Sequence, residues 1–316
     1  MLGLVTSRET GSRLLLGLVM MRSPGWVLRA LRSRWRSYKY RFVPWVALNV
    51  ARNRRTLRYV SDTCQDKVIP DADVCATLVR LFRGLFRADL SSQTDLLRML
   101  PDSTKSMYRG ADTGHTVKCP TEQDFALQAN EILHKCLGFS IERRQSSLDS
   151  AGIGVFVSRG NVPKGALVSM YPGAIYQQYE PIFFQSLGNP FIFRCLDGIL
   201  VDGNDKGISK SVYRSCSGRD RLGPLQMCDV TWLTSHPYNP LAVGQYVNNC
   251  SNEKAANVCY QEFDVPDSFP VELRQYIPNI HYSRESDGPL RCVVLVALRD
   301  IVCGEELFSN YFTIVR

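Results

Sequence analysis

No apolar run in this 316-residue chain approaches the ~18 residues of a membrane-spanning helix. The longest, residues 14–21, is eight residues long and is closed by Arg22. That excludes a helical membrane protein. Paired cysteine ligands are missing as well. The eleven cysteines never fall in C-x-C or C-x-x-C spacing, and only four histidines could complete a site. A structural zinc ion usually needs such pairs, so no metal is expected. The odd count and irregular spacing also argue against a secreted disulfide framework. Reduced, buried thiols in a reducing, intracellular compartment are expected instead. Acids are absent from one long stretch. From residue 10 to residue 61 there are twelve Lys and Arg and no Asp or Glu. Arg8 and Glu9 cancel, so taking these twelve charges from the net +8 leaves residues 62–316 at −4. A basic binding face on the body therefore cannot be argued from the chain's net charge.

What is present is ordinary for a globular protein, with 45% hydrophobic and 22% charged residues. The length allows one large domain or two modest ones. Residues 1–61 form a basic leader. Within it Val27, Leu28, Leu31 and Trp35 share one side of a helical wheel and Arg29, Arg32 and Arg36 the other. An acid-free, Arg-rich amphipathic segment has the composition of a mitochondrial transit peptide. The competing readings are a solvated basic helix, or a nucleic-acid or membrane-surface contact through interleaved Arg and aromatics. In those cases the protein would sit in the nucleus or cytoplasm.

Residues 62–138 read as helical. Val74, Leu78, Leu81, Phe82, Leu85 and Phe86 recur at helical spacing over 71–87, with Asp71 or Asp73 placed to cap the start. Leu96, Leu97, Met99 and Leu100 predict a shorter helix stopped by Pro101. Residues 103–119 read as loop. A third helix is predicted over 121–137, with Phe125, Ala129, Ile132, Leu133 and Cys136 on one face and Gly138 ending it. From residue 139 onward short segments rich in β-branched and aromatic residues alternate with Gly, Pro and Asp. That predicts a mainly β domain over 139–316. Residues 211–241 read as irregular, within an insertion at about 208–243.

Three separated segments carry chemistry. In the first, Gly152 and Gly154 open a strand containing Phe156. Pro163 and Gly165 follow, then a strand ending in Tyr171 and Gly173. Two glycines there let a ligand approach the backbone closely. The second, residues 244–263, places Asn248, Asn249, Cys250, Ser251, Asn252 and Asn257 just before a strand; asparagine offers both donor and acceptor. The third, residues 297–316, carries Gly304, Glu305, Glu306 and Leu307 and a near-terminal Tyr311.

In this order and near these separations, the three segments resemble the SET domain of protein methyltransferases. The glycine pair matches the first signature of that family, QYVNNCS the second and GEEL with Tyr311 the third. The resemblance covers about residues 140–316. It implies a β SET fold of short-stranded sheets with pseudoknot-like C-terminal threading, and S-adenosylmethionine as cofactor. It implies a protein substrate that presents a lysine through a narrow channel. Gly152, Ile153 and Gly154 match the backbone that holds the amino-acid end of the cofactor. Asn248 and Asn249 match its other contacts. Tyr311 and Tyr171 match catalytic tyrosines, and Tyr260 a wall of the channel.

Some positions depart from the family pattern. Asn249 replaces the usual His, Cys250 and Ser251 reverse the usual order, and Ser309 stands where many members have Tyr. Glu305 and Glu306 read as turn and packing residues, with no general base assigned to either. The chain runs only five residues past Tyr311, and many members close the channel with a further segment. The helices before residue 139, the insertion or a partner protein would then provide that wall. The alternative to an enzyme is a catalytically inactive SET domain that scaffolds partners.

Overall fold

The computed structural model describes residues 67–108, 122–149, 151–251, 253–284 and 288–310. The leader and Tyr311 lie outside these described residues. Four helices come first. The helix α1 (Asp71–Ala88) starts at Pro70, whose carbonyl accepts the Asp73 and Val74 amides at 3.0 and 3.2 Å. Asp71 and Asp73 make no side-chain cap; they sit in the first turn, where carboxylates complement the helix dipole. The helix α2 (Thr94–Met99) ends before Pro101, as predicted. A short α3 (Asp102–Ser106) occupies part of the stretch read as loop, because Pro101 presets its entry backbone. The helix α4 (Glu122–Leu137) stops at Gly138, which takes φ +85° and donates its amide to the His134 carbonyl at 2.8 Å.

Strands follow in the order predicted. They are β1 (Phe139–Gln145), β2 (Ile153–Gly160), β3 (Leu167–Tyr171) and β4 (Gly173–Tyr176). After the one-turn helix α5 (Phe183–Ser186) come β5 (Ile192–Arg194) and β6 (Leu200–Asp202), then α6 (Gly207–Arg219). The chain closes with β7 (Asn248–Asn249), β8 (Val258–Val265), β9 (Asn279–His281), β10 (Leu290–Ala297) and β11 (Phe308–Ser309). They form three sheets: β1-β2, β3-β10-β8-β11-β7 and β5-β6-β4-β9.

The helix α6 corrects the reading of residues 211–241 as irregular throughout. Its pattern is hard to see, because its inner face holds Ser209, Tyr213, Cys216 and Ser217 rather than an apolar stripe. Tyr213 fixes it. The ring meets Trp232 edge-on with centroids 4.9 Å apart, and its hydroxyl donates to the Asp229 carbonyl at 2.6 Å.

The main core joins the helices to the largest sheet. Val74, Leu78, Leu81, Phe82, Leu85 and Phe86 of α1 are all at most 1% exposed and share a cluster with Val293 to Ala297 of β10. Among the described residues, Cys195, Cys216, Cys228 and Cys292 are buried thiols.

The C-terminal segment threads between distant parts of the chain. It first runs along β2, where the Leu307 amide donates to the Val155 carbonyl at 2.7 Å and the Val157 amide to the Glu305 carbonyl at 2.9 Å. It then enters the largest sheet as β11, parallel to both β7 and β8. This passage draws the first, second and third signatures together.

Candidate functional site

The site forms where β2, β7 and the segment before β11 meet. Gly152 takes φ +75°, and a side chain there would meet nothing within 4 Å, so the backbone is open on that side. Ile153 is 45% exposed, on a strand whose next four residues are buried. Asn248 reaches across from β7. Its Nδ2 donates to the Ile153 carbonyl at 3.2 Å and to Glu306 Oε1 at 3.1 Å.

Glu306 holds this junction together. It is 5% exposed and accepts hydrogen bonds from the Ser146 hydroxyl (2.7 Å), the Ser147 amide (2.8 Å) and the Ser147 hydroxyl (2.6 Å) as well as Asn248. Burial pushes its carboxyl up. The Ser147 and Ser146 donors and Asn248 outweigh that and hold it below its ordinary value. Gly154 is small because of this carboxylate: a Cβ at 154 would lie 2.1 Å from Glu306 Oε1 and 3.3 Å from Asn248 Nδ2. Asn257, 1% exposed, completes the frame. Its Nδ2 donates to the Glu306 carbonyl at 2.8 Å, and its Oδ1 accepts the Phe308 amide at 2.8 Å. Asn249 pairs with Ser309 in the parallel β7–β11 ladder.

An aromatic cluster adjoins this frame. Tyr171 and Tyr260 are buried, with ring centroids 6.2 Å apart and nearly perpendicular planes. Phe193 of β5 packs against both, 5.6 Å from Tyr171 and 4.9 Å from Tyr260. Ser309 meets the far end of Tyr260: its Oγ lies 3.1 Å from the tyrosine hydroxyl. The backbone of Tyr171 is pinned by Asn279, which donates to its carbonyl at 3.0 Å. Its ring lies over Gly203, where a Cβ would come within 2.7 Å of it.

The structure therefore brings together Gly152, Ile153, Gly154, Asn248 and Asn249, and beside them Tyr171 and Tyr260. Tyr311 falls outside the described residues. Sequence reasoning missed four contributors. Phe193 and Gly203 belong to a segment matched only in outline. Asn257 is one of four asparagines in its segment. Glu306, by sequence a turn and packing residue, is a buried anchor; the turn role falls to Glu305, bonded to Arg299 at 2.6 Å and to the Val302 amide at 2.9 Å. The legible signal for Glu306 is an acid that runs directly into the apolar Leu307 and Phe308, both buried.

Among the described residues, Cys195, Asp197 and Glu262 lie close enough together to ligate a metal ion. Their carboxylates are engaged by Arg291, at 3.0 Å for Asp197 and 2.6 Å for Glu262, and Asp264 takes its third nitrogen at 2.5 Å. Burial, reinforced by the Glu262 charge, pushes the Cys195 thiol well above its ordinary value. The chemistry of this cluster is that of an ion-pair network.

Comparison with known proteins gives two relatives. SET domain-containing protein 9 of Homo sapiens is 65% identical over 297 residues, 92% of this chain and 99% of that protein. SET domain-containing protein 9 of Pongo abelii is 65% identical over 265 residues, 82% of this chain and 97% of that protein. No family model matches. Among solved structures, the Polycomb Repressive Complex 2 of Chaetomium thermophilum in an autoinhibited conformation bound to S-adenosylmethionine aligns with a TM-score of 0.30 and 15% identity, over 57% of this chain and 16% of that one. A humanized mutant of that complex bound to an inhibitor gives 0.29 and 16%, over 54% and 15%. The chain thus spans less than a fifth of the length of those solved chains.

Proposed function

The chain belongs to the family of SET domain-containing protein 9, and from that premise we propose that it is an S-adenosylmethionine-dependent protein methyltransferase acting on lysine. The observation that carries this reading is the convergence of the three signatures. Ile153, Asn248 and Glu306 lie in one hydrogen-bonded junction, with the Tyr171–Phe193–Tyr260 cluster adjoining.

The residues present fit the cofactor. The backbone at 152–154 has an open side at Gly152, and Asn248 and Asn249 lie on the strand whose side chain bonds it. These residues would hold the cofactor, which when bound supplies an electrophilic methyl group on a sulfonium. The chain's own part is positioning. Tyr171, Phe193 and Tyr260 exclude water, and desolvation between them disfavours an ammonium, so a lysine amine is held neutral and nucleophilic. The Tyr260 hydroxyl, steadied by Ser309 at 3.1 Å, orients that amine without adding a charge. Glu306 is saturated with donors and Glu305 is tied to Arg299, so neither serves as a general base. Tyr311 is proposed to complete the methyl site, and a partner protein to complete the channel wall.

Calorimetry with S-adenosylmethionine tests this reading. Saturable binding is expected to the full chain and to Tyr311→Phe, and to be lost in Asn248→Ala. Tyr311→Phe should in addition abolish turnover on a lysine substrate; unchanged turnover would remove Tyr311 from the mechanism. One observation favours the second reading, a SET-domain scaffold without activity. The Glu306 contacts already account for Gly154 and for the Asn248 amide without any cofactor. Absence of binding to well-folded protein would select that reading.

A further inference from the structure

Away from the candidate site, the segment between β4 and β5 is unusual in what it exposes. Residues 177–193 contain one charged residue, Glu180, and it is only 5% exposed. Tyr179, Phe183, Phe184 and Leu187 are exposed instead. Ile208 is also exposed, in the first turn of α6, which packs against α5. The two elements are tied through Asn189, whose Nδ2 donates to Asp202 Oδ1 at 2.7 Å and lies 3.4 Å from the Ser209 hydroxyl. The patch is therefore mounted on buried polar contacts and is not a loose loop.

Its shape and charge narrow what it fits. Tyr179 and Phe184 are 67% and 68% exposed. Side chains lining a groove are shaded by its walls, so these two stand on a prominence. Singly exposed apolar residues are commonplace, but a contiguous set marks an interaction surface. The adjoining α6 contains Lys210, Arg214 and Arg219 and no acid, and Lys206 directly precedes it. The nearest acids on either side are engaged: Asp205 accepts the Tyr246 hydroxyl at 2.6 Å, and Asp220 pairs with Arg219 at 2.6 Å. Lys206, two residues before Ile208, and Arg214, further along α6, are both exposed.

We infer that this prominence seats on an anionic lipid surface. The aromatic and aliphatic side chains enter the boundary between headgroups and acyl chains, and Lys206 and Arg214 lie against headgroup phosphates. A fluid boundary accommodates a convex knob directly, whereas a partner protein would need a pocket shaped to it. Tyrosine suits such a boundary because its ring is apolar and its tip polar. The contact is peripheral, since among the described residues no helix is long and apolar enough to cross a membrane.

Flotation of the full-length protein with phosphatidylcholine vesicles, with and without phosphatidylserine, tests the inference. The wild type is expected to float with the phosphatidylserine vesicles and to be released by salt. Affinity should fall at least about tenfold in Phe183→Ser with Phe184→Ser, and separately in Lys206→Glu with Arg214→Glu. Both pairs are on the surface, so the melting temperature should hold; either variant alone suffices if the other fails to fold. A wild type that does not float overturns the inference. So does undiminished flotation of both variants, which would assign lipid binding to the basic residues 1–61. So does a wild-type dimer that the Phe183→Ser, Phe184→Ser variant converts to monomer without any flotation, which would assign the face to a second copy of the chain.

Discussion

At Gly154 the obvious reason for a glycine, room for a ligand, is not the one the structure supplies. A methyl group there would lie 2.1 Å from Glu306 Oε1. The end of a flexible side chain could ordinarily swing away, but this carboxylate is buried and held by two serines and an asparagine. Gly154→Ala should therefore cost about 1–3 kcal/mol of stability, measured by urea denaturation. Wild-type stability would show that the carboxylate can shift freely. Asp202 offers a test of opposite electrostatic sign. Burial outweighs the hydrogen bonds from Ser209, Asn189 and the Asn204 amide and pushes its carboxyl up to about 6, against an ordinary value of 3.8. A folded-state value above the unfolded one favours the fold at low pH, so this stabilisation is complete below about 4 and is lost as pH rises through about 6. Relative to Asp202→Asn, the wild type should lose on the order of 3 kcal/mol across that window. Denaturation midpoints measured at a series of pH values check this; parallel profiles for the two proteins would refute it. Asp229 is raised to about 6 by the same cause and continues to titrate in the variant.

Among the elements, α1 shows how the helical region supports the sheet that carries the site. Its six buried residues each contribute roughly 1.5–3 kcal/mol by leaving water. Phe82 sits edge-on to Phe269 with centroids 6.3 Å apart, and 5.6 Å from Tyr276, so it links the helix to the turn after β8. Phe82→Ala should cost roughly 3–5 kcal/mol in chemical denaturation. A loss below 1 kcal/mol would mean that the helix docks independently of this contact. The periodicity of α1 and α4 was legible because an amphipathic helix repeats its apolar residues within a few positions. The helix α6 was not, because its inner face is half polar and only its tertiary neighbours, Trp232 and the Asp229 carbonyl, explain Tyr213. The dipeptide strands β7 and β11 are likewise too short to read locally; they exist because they pair with each other.

For the whole molecule, the charge asymmetry remains the strongest feature of the leader. Its proposed role as a mitochondrial address predicts that residues 1–61 fused to a fluorescent reporter direct it to mitochondria; a diffuse or nuclear signal would reject that address. The sequence by itself determined the order of helices and strands over most of the described chain and the three signature segments. Those signals are local: side-chain period, turn-forming residues and short motifs all act over a few positions. Only the tertiary structure decided what the signatures do to one another. Glu306 meets Ser146 and Ser147 from some 160 positions away, Asn248 from 58, and Phe193 joins Tyr171 and Tyr260 from a third strand. Whether a carboxylate is a base or a structural anchor depends on the donors packed around it, and those donors arrive only when the C-terminal segment threads between β2 and the main sheet.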